Sequence, residues 1–101
     1  DAEHFIAPFT FTVAPERAWQ VLRETMVSAE RASIARETEV YLHVEFSSRL
    51  MGFVDDAEFL MDASNSLIQV RSASRLGYSD LGVNRRRIET LRMAFNERLK
   101  R

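Results

Sequence analysis

The residues best equipped for chemistry lie between Arg71 and Arg87. Arg71, Arg75, Arg85, Arg86 and Arg87 bring guanidinium groups, Ser72, Ser74 and Tyr78 bring hydroxyls, Asp80 a carboxylate and Asn84 an amide. Guanidinium forks donate two hydrogen bonds at a time to carboxylate or phosphate oxygens, and the unpaired amides at a helix start donate to the same groups. Asn84 suits the N-cap of a closing helix, with Val83 and Ile88 as a hydrophobic staple across its first turn. Arg85, Arg86 and Arg87 then fill the first three helical positions, where cations oppose the helix dipole by roughly a few tenths of a kcal/mol each. Breaches of local preference gather at functional or strained places, so the stretch is a candidate anion-accepting surface for a small molecule or a protein partner. The same residues also permit a loop that needs no ligand. Asp80, the only carboxylate between Arg71 and Arg87, could receive Arg75 or Arg85 while Tyr78 and Leu81 pack inward.

Other constellations are weaker. Ser72, Ser74 and Ser79 with His43, His4 and Asp55 or Asp56 supply serine, histidine and aspartate, but no GxSxG elbow is present to expose a nucleophile. Asp55 and Asp56 are adjacent, so in an extended strand their side chains leave on opposite faces and chelate poorly. The two histidines are isolated from each other, no cysteine is present, and no GxxxxGKS or GxGxxG loop occurs. No metal and no cofactor is therefore expected, and no catalytic residue is assigned.

The 101 residues, 46% of them hydrophobic, suffice for one core and one domain. Without cysteine there is no disulfide, thiolate metal cluster or thiol catalysis, and the compartment stays open. No apolar run reaches the length of a membrane span. Asp1 stands where an initiator methionine would, so a processed or truncated start is expected. The net charge of −1 hides an asymmetry: residues 1–70 carry five Lys or Arg against twelve Asp or Glu, and residues 71–101 carry nine against three. The basic end either lies against the acidic elements or focuses an anion. Nucleic acid is not expected, because the first 70 residues are acidic and no basic and aromatic residues interleave along a strand.

The elements that must position these groups follow from periodicity. Phe9, Phe11 and Val13 alternate with Thr10 and Thr12, giving a strand from about Pro8. Pro15 and Glu16 open a helix over about 15–30, whose buried stripe includes Trp19, Leu22 and Met26. From about Ile34 the period becomes two, with Val40, Leu42, Val44 and Phe46 on one face. A turn over Leu50–Phe53 leads to a strand holding Ala57, Phe59 and Met61. The turn formers of residues 62–66 fold it back into Leu67–Ser72. A loop over Ser72–Val83 precedes the last helix, whose stripe is Ile88, Leu91, Phe95 and Leu99. The order is β-α-β-β-β-α: an α+β fold with an antiparallel four-stranded sheet and both helices packed on one face.

The stretch RSASRLGYSDLGVNRRRIETLR, with HFIAPF near the start and SSRLMGFVDDAEF before the third strand, resembles a domain family of unknown function, DUF1499. The likeness covers nearly the whole chain. It implies no activity and singles out the ten residues above, with Gly77, Gly82, Gly52, Phe53, Asp55 and Asp56. Members often carry an upstream segment with a cysteine pair, and many are exported or membrane-associated. FTVAPERAWQVL is similar to the opening strand and helix of helix-grip lipid-binding domains, an analogy of fold. These features point to an uncharacterised binding or accessory domain, with an enzyme or carrier for a small or lipidic ligand held between sheet and helices as one alternative. An oligomeric structural module is the other.

Overall fold

A computed structural model describes residues 6–48, 53–75 and 81–101. Its elements are β1 (Phe9–Thr10), α1 (Pro15–Ser28), β2 (Ala32–Glu37), β3 (Tyr41–Ser47), β4 (Val54–Asp62), a 3₁₀ turn (Ala63–Asn65), β5 (Leu67–Ser74) and α2 (Leu81–Leu99). All strand pairs are antiparallel, in the order β1-β5-β4-β3-β2. The fold is α+β, with five strands where periodicity gives four.

The extra strand comes from a break that the sequence hides. Between β2 and β3 the chain reverses at Thr38, whose side-chain oxygen accepts from the amides of Val40 at 3.2 Å and Tyr41 at 3.0 Å. The Thr38 amide itself donates to the Tyr41 carbonyl at 2.8 Å. A threonine hydroxyl closes this turn without glycine, proline or asparagine, so the alternating run of residues 34–46 gives no sign of it. β1 is shorter than expected, because only Phe9 and Thr10 pair with Ile68 and Leu67 before the chain bends toward α1.

α1 begins on Pro15, whose missing amide hydrogen costs nothing at a helix start. It buries Ala18, Val21, Leu22, Thr25 and Met26. α2 buries Asn84, Ile88, Leu91 and Phe95 at spacings of four, three and four. Both stripes meet one sheet face, built from Leu42, Val44, Phe46, Ala57, Phe59 and Ile68. Phe9 packs on Phe59 and Phe95, with ring centroids 5.8 and 5.3 Å apart, tying β1 to the sheet centre and to α2. The opposite face presents Tyr41, His43, Glu45, Asp56, Glu58 and Arg71, none of them buried.

α2 starts three residues earlier than Asn84, at Leu81. Asn84 is therefore inside the first turn and 4% exposed, not a cap. Counted from Leu81, Arg85, Arg86 and Arg87 occupy positions five to seven, beyond the turn where the dipole penalises cations. The anomaly that distinguishes these arginines in the sequence is absent from the fold.

Candidate functional site

In β4, Asp55 and Asp56 leave the strand on opposite faces, as adjacent residues of an extended chain must. Each founds a separate polar cluster, and β5 serves both: Ser72 and Ser74 point with Asp55 toward α2, while Arg71 and Arg75 point the other way.

On the helix side, Asn84 joins β5 to α2. Ser72 Oγ donates to Asn84 Oδ1 at 2.6 Å, and Asn84 Nδ2 donates to Ser74 Oγ at 3.1 Å. Arg87 Nη1 donates to Asp55 Oδ2 at 2.8 Å and to Asn84 Oδ1 at 3.4 Å. The Arg87 guanidinium also lies 5.0 Å above the Phe46 ring centroid. Arg87 and Asp55 are only 22% and 16% exposed, so the pair is largely withdrawn from water.

On the open face, Asp56 takes Arg75 by both oxygens: Nε to Oδ2 at 2.9 Å and Nη2 to Oδ1 at 3.0 Å. Arg75 Nη2 also donates to Glu45 Oε2 at 2.7 Å, and His43 Nε2 lies 2.7 Å from Asp56 Oδ1. Among the described residues, ligand atoms of His43, Glu45 and Asp56 lie within 4.8 Å of one another, the spacing of a cation site. Arg75 is the cation both carboxylates hold. Sequence reading missed this cluster because its members meet only through the register of β3, β4 and the end of β5.

The Arg75 fork, and then His43, hold the Asp56 carboxyl below the usual carboxylate range against the opposing effect of burial. A folded-state pKa below the unfolded one means that the fold favours the ionised form. That stabilisation is complete above the ordinary aspartate pKa of about 3.9 and is lost as pH falls through the lower folded value. The stability gap between the protein and Asp56→Asn should thus stay level from about pH 5 to 8 and shrink below about pH 4. Urea denaturation at stepped pH reads it directly; a gap unchanged at pH 3 would show that Asp56 is not the group held.

The ten sequence candidates are thereby distributed. Ser72, Ser74, Asn84 and Arg87 come together on the helix side. Arg75 stands on the other face with Asp56 and Glu45, and Arg71, 81% exposed, stands there 3.8 Å from Glu58. Arg85 and Arg86 are exposed on α2. Tyr78 and Asp80 lie outside the described residues, as do Ser79, His4, Gly77 and Gly52. The five guanidiniums do not converge, because the sheet separates Arg75 from Arg87. It separates Ser72 and Ser74 from His43 as well, so no nucleophile and base are paired by these residues.

A groove of about 420 Å³ runs between α1 and α2, beside the helix-side cluster. Ala29 just past the end of α1, Leu91 and Ala94 of α2 and Phe46 of β3 give it apolar walls, and Arg87 and Arg98 line it too. Arg98 is half-buried, and its side chain has no partner among the described residues. Glu30, also at the groove, is turned to water and sits 3.6 Å from Arg31.

The family model described as "Protein of unknown function (DUF1499)" matches residues 1–95. The chain belongs to the DUF1499 family. No curated protein and no solved structure matches it. In this DUF1499 chain, RSASR forms a two-faced strand end, and its serines grip Asn84 in the first turn of α2. No helix among the described residues is long and apolar enough to cross a membrane.

Proposed function

We propose that this DUF1499 chain is a binding or accessory module, and that its site is the α1–α2 groove, where the anionic group of a small ligand meets Arg98. The observation that carries this reading is the contrast among arginines. Arg75 and Arg87 have carboxylate partners at 2.7–2.9 Å, whereas Arg98 is half-buried beside an apolar groove and has no carboxylate partner among the described residues. The anion-accepting role expected of the β5–α2 loop passes to the far end of α2. Its charge there also complements the C-terminal end of the helix dipole. A groove of this size, mostly apolar with a few polar groups, matches the usual small-ligand site. Catalysis has less support, since the serines and His43 stand on opposite sides of the sheet. An oligomeric module formed through sheet edges has less as well. β1 is two residues long, and β2 carries Arg36 and Glu37 and a register irregularity between Ile34 and Arg36.

Octanoate titrated into the ¹⁵N-labelled chain should shift the amides of Ala29, Leu91 and Ala94. Arg98→Gln should weaken octanoate about tenfold, the worth of one hydrogen bond to a charged group, and leave 1-octanol unaffected. No shift at those amides, or octanoate binding indifferent to Arg98→Gln, would sink the groove reading.

A further inference from the structure

Arg87 and Arg98 stand eleven residues apart on α2, which returns to the same side of the helix after three turns and separates the two levels by about 16 Å. Leu91 and Ala94 lie between them along the groove, with Phe46 on the sheet side. The two ends are electrically unlike. At one, Arg98 is a cation with no side-chain partner among the described residues; at the other, Arg87 is already bonded to Asp55 at 2.8 Å and lies over Phe46. A molecule laid along the groove meets the Arg98 charge, then an apolar stretch, then the Asp55–Arg87 ion pair.

Building on the groove reading above, we infer that the occupant is a monocarboxylate with an apolar body, its head at Arg98 and its tail toward Phe46, and that the Asp55–Arg87 pair rejects a second charge at the tail end. A carboxylate brought to that end would lose its hydration beside an arginine whose charge Asp55 already balances and whose Nη1 already donates to Asp55 and Asn84. A methyl terminus loses nothing there and gains contact with Phe46. Asp55 thus sets selectivity through Arg87, without touching the ligand itself.

Octanoate and octanedioate, two chains of equal carbon number, titrated against the ¹⁵N-labelled chain at pH 7, test this. Octanoate should bind at least about tenfold more tightly than octanedioate. Asp55→Asn should raise octanedioate affinity several-fold and leave octanoate within about twofold. Octanedioate binding to the unaltered protein as tightly as octanoate would overturn the inference, whether or not Asp55→Asn folds, and the groove reading would survive. Octanoate binding that ignores Arg98→Gln, or no binding of either acid, would overturn both.

Discussion

Arg87→Ala is expected to lower folding stability by about 3 kcal/mol, the lower end of what breaking a buried ion pair costs. The reason is less the lost attraction than the Asp55 carboxylate left behind, 16% exposed and facing a helix rather than solvent. The substitution also removes a cation from the Phe46 ring. Because the stranded charge dominates, adding Asp55→Asn to Arg87→Ala should recover at least about 1 kcal/mol, a coupling that a double-mutant cycle in urea isolates. A loss under about 1 kcal/mol for Arg87→Ala alone, with no recovery on adding Asp55→Asn, would mean that water reaches the pair freely.

Asn84→Ala should cost about 2 kcal/mol and lower the melting temperature by about 10 °C. Its amide receives from Ser72 and Arg87, donates to Ser74, and is 4% exposed, so alanine leaves hydroxyls facing a small void at the junction of β5 and α2. Ser74→Ala, which removes one bond from the edge of the same network, should cost less than 1 kcal/mol by the same scale. Pairing Asn84→Ala with Ser72→Ala should cost less than the two separately, since they share a bond. Equal thermal stability of Asn84→Ala and the unaltered chain would show that Asn84 does not hold α2 to the sheet.

Much of the architecture was legible because it is written in local spacing. Pro15 with Glu16 marks the first helix, and Ile88, Leu91 and Phe95 mark the inward side of the last. The turn at Thr38 was not legible, since a side-chain hydroxyl does there what glycine or asparagine usually signals. The start of α2 was misplaced because Gly82 reads as loop and Asn84 as a cap. Yet Asn84 continues the stripe of Ile88, Leu91 and Phe95, and that spacing alone places it facing the sheet. The opposite directions of Asp55 and Asp56 followed from their adjacency, and the alternation of arginine and serine through Arg71–Arg75 carried the same information. What could not be read was partner choice. Arg75 meets Asp56 and Glu45 at separations of 19 and 30 residues, through a register set by three strands. Nor does any local pattern reveal that Arg98 borders a groove, because the groove exists only once α1 lies alongside α2.

Two neighbouring acids in β4, each answered by an arginine across a different side of the sheet, also bear on how the chain finds its alignment. Were β4 to slide by one position against its neighbours, an aspartate would still emerge on either side, and much of the ionic attraction would tolerate the error. Phe59 would not: it would be turned to solvent and Glu58 driven into the interior, the inversion that any single-residue slip imposes. Fidelity of pairing in this sheet thus falls to the buried apolar residues of β4, Phe59 and Ala57, and the conspicuous charges cannot proofread it.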